Sequence, residues 1–409
     1  MSTVQPTFTF RSIALPALVP SLLFATGEGS VIPVIPAIAS NLGATLAVAG
    51  FIAGMTMVGQ LVGDIPSGWV VGKIGERRAM IYAAVLAILA VVVCMIATTP
   101  LLFGTGIFFL GLAGAVFALA RHAFMTSFVP VEYRARALST LGGTFRLGWF
   151  IGPFLGAAVI ALSGTSQAVF WIQGICAVSI IVLLLIVADP TEKLMKPDAG
   201  EQLVTAEAHG LFTTIYTFRG LLVRIGSGVA LVGALRASRT VILPLWAVSL
   251  GLNEANTALI VGIGGALDFA LFYASGQIMD RFGRLWSVVP CMVGMGICLL
   301  ILAFTHNLPG AVTWFIVLTI ALGVSNGVGS GIVMTLGADL APKDAPAPFL
   351  GAFRFTGDLG TAAAPLLISL IVAIVSLPLA VGAMGLLGFA GAGILMRYIP
   401  RYVPRKLVR

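Results

Sequence analysis

The sequence predicts an all-α membrane protein whose twelve transmembrane helices form two pseudo-symmetric six-helix bundles. Three observations carry this: twelve apolar runs of spanning length, an internal repeat at a constant offset of 208 residues, and basic residues confined to alternate connections. A bilayer core needs about 20 apolar residues per helix. Runs centred near Phe24, Met57, Leu89, Gly111, Phe150, Val178, Leu235, Ala270, Gly296, Leu322, Gly360 and Leu387 meet that requirement. Of 409 residues, 59% are hydrophobic and 9% charged, and the mean hydropathy is +1.08. A chain with so few charges would aggregate in water, so lipid is the solvent for most of it.

The repeat extends through both halves. Phe10-Arg11 recurs as Phe218-Arg219, Pro36 as Pro244, Leu42-Gly43 as Leu250-Gly251, Gly54 as Gly262, and Phe145-Arg146 as Phe353-Arg354. Two parallel six-helix units, residues 1–188 and 217–409, follow from it. The longest polar stretch, 189–216, joins them, and its portion 201–209 is read as a short helix on the membrane surface. Lys73, Arg77, Arg78, Arg134, Arg136, Arg281, Arg284 and Lys343 fall on the side of this linker and of the Arg-rich tail, whereas the opposite loops lack Lys and Arg. That asymmetry puts both termini and the linker in the cytoplasm. The first run, about 12–39, is too long for a cleavable leader and carries Glu28, so it is read as the first span. Short loops point to a bacterial cytoplasmic membrane.

Between the second and third runs of each half lies a charged, glycine-bounded turn. The second copy reads Gly276-x-x-x-Asp280-Arg281-x-Gly283-Arg284; the first reads Gly68-x-x-x-Gly72-Lys73-x-Gly75-Glu76, followed by Arg77. The pattern resembles the signature loop of the major facilitator superfamily, matched in full by the second copy and without its acid in the first. The resemblance covers roughly residues 10 to 400. It implies the major facilitator fold, secondary active transport of a small molecule by alternating access, and a monomer in the bilayer. It also implies that Asp280 caps the N-terminus of helix five near Arg134 and Arg136, steadying the outward-open state; Gly72 cannot do the same for helix eleven. In helix five, Gly148-x-x-x-Gly152-Pro153-x-x-Gly156 resembles part of the glycine-proline motif of the drug/proton antiporters, with Pro153 kinking a helix that must bend. Ser139 and Ala157 stand where that motif has further glycines, and helix four lacks the subgroup's mid-helix arginine.

Ionisable side chains deep in a bilayer are costly, so they face the bundle interior and mark function. By depth they fall into two groups. The central group is Glu28, Arg236, Arg239 and Asp268, in which Glu28 and Arg236 are repeat mates and Asp268 is the mate of Gln60. Two readings fit. The cluster is a buried ion-pair network that holds the halves in register, or Glu28 and Asp268 carry the coupling proton while Arg236 and Arg239 hold them or bind substrate. An arginine partner favours the ionised carboxylate, so a Glu28 paired with Arg236 would take a proton only when that pair opens. The inner group is Asp64, Arg121, Arg146, Arg354 and Asp358. It is read either as a gate of cross-half pairs or as pairing within helices, Arg354 and Asp358 being an i,i+4 pair. Phe145, Trp149, Phe150, Trp246, Phe269 and Tyr273 offer aromatic walls to a cavity, or pack against lipid and neighbouring helices.

Other chemistries find little support. The net charge of +8 is interleaved with spanning segments and does not suggest nucleic acid. Cys94, Cys176, Cys291 and Cys298 all lie in apolar runs and read as small buried hydrophobes; the three histidines have no ligand spacing, and no metal site is expected. The glycine run from Gly323 to Gly331 sits inside a span, where it serves close helix approach and not phosphate binding. There is no ATPase motif and no nucleophile–base constellation, so no enzyme is expected and the proton is the only cofactor. The function read from these residues is proton-coupled export of amphipathic small molecules. The alternative is transport of an organic anion or lipid-like molecule, since the five intramembrane arginines outnumber the four acids. A membrane sensor that binds ligand without flux is the remote third reading.

Overall fold

The repeat is written into the backbone at its turns. Gly75 and Gly283, 208 residues apart, have φ of +81° and +95°, and Gly43 and Gly251, also 208 apart, have φ of +92° and +70°. A residue with a Cβ is strained in that region, so these four sharp reversals require glycine. Thr45 and Asn253, two residues beyond the second pair, each begin a helix by accepting a backbone N–H, from Val48 and Asn256 respectively.

The computed structural model of the chain describes residues 13–187, 213–342 and 346–403, which are almost wholly helical and contain no strand. Among them twelve helices are long and apolar enough to cross a membrane. In the first half these are α1 (Ala14–Asn41), α2 (Leu46–Ile74), α3 (Glu76–Ile96), α4 (Pro100–Phe128), α5 (Val131–Ser163) and α6 (Ser166–Ile186). The second half has α7 (Arg219–Ser249), α8 (Glu254–Phe282), α9 (Leu285–Thr305), α10 (Ala311–Leu340), α11 (Pro346–Ile374) and α12 (Leu377–Tyr402). Every predicted run centre falls inside its helix. Most of the linker, including the surface helix expected at 201–209, lies outside the described residues, as do Arg11 and Lys343.

Packing repeats with the sequence. In the first half α2 packs on α4, α1 on α5 and α3 on α6; in the second, α8 packs on α10, α7 on α11 and α9 on α12. The halves meet along two seams that are themselves repeat mates, α5 against α8 and α2 against α11. Because lipid is as apolar as a leucine side chain, close backbone approach between small residues replaces the hydrophobic drive of a soluble core. α3 shows the resulting inversion: Ala79, Ala83, Ala87 and Ala90 are buried, while Tyr82, Val85, Leu89 and Ile96 are exposed where the lipid would be. On α4, Gly111 lies so close to α2 that an added Cβ would collide with the carbonyl group of Thr56.

Tight cross-half contacts lie away from the signature loops. A Cβ on Gly262 would come within 3.2 Å of Pro153, one on Gly50 within 2.9 Å of Leu245, and one on Gly54 would strike Pro365. At that same face Asn41 Nδ2 donates to Glu254 Oε1 across the seam at 3.3 Å. The bundle is therefore sealed at the face opposite the signature loops.

The α2–α4 contact yields a stability test. Gly111→Leu forces two backbones apart and should cost about 1–3 kcal/mol, read as a lower unfolding midpoint in detergent. Gly142→Ala should not lower it, because outside its own helix turn nothing lies within 4 Å of the added methyl.

Candidate functional site

Glycines on α5 build the first part of the site. A Cβ on Gly148 would lie 2.6 Å from that of Ala25, one on Gly152 2.5 Å from the Thr26 carbonyl oxygen, and one on Gly29 3.1 Å from Trp149 Cα. α1 and α5 thus run nearly backbone to backbone, and Trp149, one residue after Gly148, is set beside Glu28. Its Nε1–H donates to Glu28 Oε2 at 3.3 Å, and Gln60 of α2 donates to Oε1 at 3.1 Å. Glu28 is only 3% exposed. Pro153 lies within an uninterrupted α5; it has no N–H to give the Trp149 carbonyl.

Glu28 lines a cavity of ≈ 200 Å³ whose other charged residues are Asp64, Arg121, Arg354 and Asp358. Phe24, Phe117, Phe145 and Trp149 form its aromatic surface, Phe24 and Phe117 being stacked with centroids 4.5 Å apart. Arg354 and Asp358 pair at 3.4 Å, and the Arg354 side chain is 53% exposed, so the cavity reaches toward the signature-loop face. Arg121 is 6% exposed and sits 4.3 Å from the centroid of Phe145. Its Nε and Nη1 have no hydrogen-bond partner.

A second network surrounds Asp268 on α8. Asn326 Nδ2 donates to Oδ2 at 2.7 Å and Arg239 Nη2 to the same oxygen at 3.3 Å; Ser330 Oγ donates to Oδ1 at 3.1 Å. Arg146 of α5 crosses the seam to lie 3.7 Å from Oδ1, donates to Ser330 Oγ at 2.9 Å, and rests 4.5 Å from the Phe272 ring. This network depends on a break in α10, which is interrupted between Val328 and Ile332, with Gly331 at φ +81°. Backbone groups exposed by such a break must be satisfied inside the protein. Ser287 donates to the Val328 carbonyl at 2.7 Å, Arg236 to that of Gly329 at 2.7 Å, and Ser275 to that of Ser330 at 2.6 Å.

The structure therefore regroups the predicted residues. Glu28 and Arg236 do not pair: one is held by Gln60 and Trp149, the other by the broken helix. Glu28 shares its cavity with Asp64, Arg121, Arg354 and Asp358, whereas Arg146 joins Arg239 at Asp268. Phe269 stacks across the seam on Phe150 at 5.9 Å, and Tyr273 is 77% exposed. Sequence reasoning missed Gln60, Asn326 and Ser330 as charge partners. Gln60 carried a signal as the repeat mate of Asp268; Asn326 and Ser330 were hidden in a glycine run read as packing.

The signature loops are asymmetric. Asp280 is 84% exposed and 3.5 Å from Arg284, so in this conformation it faces its own loop and not α5, as follows from the halves being closed at the other face. Arg284 donates to Asp339 at 2.7 Å and to the Met279 carbonyl at 3.0 Å, and the hydrogen bond to Asp339 raises its pKa above the ordinary arginine value. Gly72 and Gly276 have open space around them and Gly68 is half-buried. Lys73 and Arg281 lie 4.8 and 5.4 Å from the rings of Trp69 and Phe282. Arg77 caps α6, donating to the carbonyls of Leu184 and Val187. Among the described residues no three His, Cys, Asp or Glu side chains are grouped to hold a metal.

Known proteins agree with this architecture. The chain is 25% identical to the multidrug resistance protein MdtL of Escherichia coli O81 (strain ED1a) over 316 residues, which is 77% of this chain and 78% of that protein. It is 24% identical to MdtL of Shigella dysenteriae serotype 1 (strain Sd197) over the same shares. Among solved structures, the D-xylose-proton symporter superposes with a TM-score of 0.75 at 17% identity, over 97% of this chain and 99% of that one. A POT family transporter in complex with a thioalcohol conjugated peptide gives 0.77 at 13% identity, over 96% and 97%. The profile of the Major Facilitator Superfamily matches residues 18–365 and again 225–408, and the chain belongs to that superfamily.

Proposed function

We propose that the protein is a proton-coupled exporter of amphipathic small molecules, in which proton and substrate alternate at Glu28. The coarser part follows from the family: its members are transporters and not enzymes, and this chain is a multi-pass membrane protein with twelve spans. Resemblance to multidrug resistance proteins supports the exporter reading. The observation that carries the coupling is the pair of donors on Glu28. Gln60 and Trp149 are both neutral, so neither is left as an unpaired ion when Glu28 gains or loses a proton, buried Arg121 being the cation that feels the change, and its cavity lets a substrate compete for the same oxygens.

Asp268 is in a different position. Neutralising it would leave the guanidiniums of Arg146 and Arg239 without their shared counter-charge. Its place in the reading is a strut between the halves at the α5–α8 seam. Arg354, Asp358 and Asp64 belong to the gate toward the signature-loop face. The reading includes a monomer in a bacterial cytoplasmic membrane with both termini inside, where the basic residues of the signature-loop face would lie.

Three measurements test it. In proteoliposomes under an imposed pH gradient, Glu28→Gln should lower substrate flux at least about tenfold (about 1.4 kcal/mol) while leaving the unfolding midpoint near wild type; gradient-driven flux that survives the change removes Glu28 from the coupling role. Asp268→Asn should instead destabilise the fold by about 3–5 kcal/mol, visible as a lower midpoint in detergent. Joining Asn41→Cys to Glu254→Cys with a short thiol cross-linker should stop flux, because the sealed face could no longer open. The four native thiols are buried, so background labelling should be low.

A further inference from the structure

The charges lining the cavity do not all cancel. Arg354 is paired with Asp358, and Glu28 is held by Gln60 and Trp149. Those two donors are neutral and leave the Glu28 charge uncancelled, and Glu28 is the acid with which Arg121 on α4 interacts electrostatically. Nε and Nη1 of Arg121 have no hydrogen-bond partner, and among the described residues the Asp64 side chain on α2 makes no hydrogen bond or ion pair. The Phe145 ring offsets part of the Arg121 charge, but it takes none of the N–H bonds of Nε and Nη1. A guanidinium is an all-donor group that binds carboxylates by two parallel bonds, and burying one unmet is expensive. The two residues are also fixed in place. A Cβ on Gly63, beside Asp64, would lie 2.8 Å from that of Ala115, and α2 and α4 run in close contact along this line.

We propose that Arg121 is an anion-binding subsite of this cavity and that the substrates it selects are amphipathic zwitterions. In this arrangement a carboxylate sits on Arg121, an ammonium faces Asp64, and the apolar body lies against Phe24, Phe117 and Trp149. One cation with unmet N–H groups and two acids along an aromatic surface are the complement of such a molecule. The inference rests on the cavity being the substrate site, and it narrows the broader class of amphipathic molecules to those bearing both charges.

Equilibrium binding in detergent tests it without any proton gradient. The probes are Nα-dansyl-lysine and Nε-dansyl-lysine, each carrying a fluorophore, an ammonium and a carboxylate, together with their methyl esters, which keep the ammonium alone. Wild type should bind at least one free acid about tenfold or more tighter than its ester (about 1.4 kcal/mol). Arg121→Gln should abolish that preference by weakening the acid alone, Arg121→Lys should keep part of it, and Asp64→Asn should weaken acid and ester together. A residue that served only to hold the fold would not sort the probes by their carboxylate. Equal or tighter binding of the esters to wild type, no saturable binding of either acid, or a preference that persists in Arg121→Gln would overturn the proposal. Because the wild-type comparison needs no variant, a misfolded Arg121→Gln does not rescue it. A preference removed by Arg121→Gln supports the subsite even where no pH-driven flux is found. Flux without any preference overturns the subsite and leaves the transport reading standing.

Discussion

A charge in hydrocarbon has no water to turn to, so the fold must bring each buried ion its partner. That requirement organises the interior of this bundle. Asp268 is given two arginines, an asparagine and a serine, and α10 is broken so that the serine can reach it. Arg236 is given the carbonyl that the same break exposes. The break exposes backbone that a continuous helix would have satisfied, and side chains on α7, α8 and α9 meet it. In the cavity lined by Glu28 the rule is relaxed as well, Arg121 Nε and Nη1 standing without partners as Arg236 Nε does, and there something from outside the chain can complete it.

Pseudo-symmetry makes the contrast sharper. The two halves share turns, packing partners and seams, yet equivalent positions carry different chemistry. Glu28 on α1 accepts from Gln60 on α2; at the mates of these residues, Arg236 on α7 gives its hydrogen bond to α10, and Asp268 on α8 becomes the acid. Arg146 and Arg354 are mates as well. The first crosses its seam to an acid of the other half, while the second pairs four residues along its own helix. One backbone plan therefore gives a seam braced by an ion pair and by the Phe150–Phe269 stack, and a seam whose acid and base remain apart.

These differences mark what the sequence could and could not reveal. Spans, turns and the doubled loop were legible because they depend on local rules: the length of an apolar run, a glycine where φ is positive, a period of 208. Depth was less so: about 1.5 Å per residue orders the residues within one helix, yet Arg146, read as inner, meets the central Asp268 at 3.7 Å. Azimuth was not. The expected pairing of Glu28 with Arg236 matched their depth and repeat position, but which helix faces which is decided by small-residue contacts such as Gly148 on Ala25 and Gly111 on Thr56. Those contacts turn Trp149 and Gln60 toward Glu28 and leave Arg236 to the broken helix. Asn326 and Ser330 were obscured for a related reason, because a glycine-rich run looks alike whether it packs or breaks.

The same contacts explain why the cavity holds separated charges at all. Long, flexible side chains in a soft setting would find each other, and an arginine and an aspartate on adjacent helices would close to an ion pair. On α2 and α4 the backbones are pressed together by Gly59, Gly63 and Gly111, which fixes where each side chain starts, and Phe145 holds the guanidinium of Arg121 from one side. A buried guanidinium whose Nε and Nη1 have no partner in its own scaffold is organised in advance for a molecule that bridges it to an acid of the cavity.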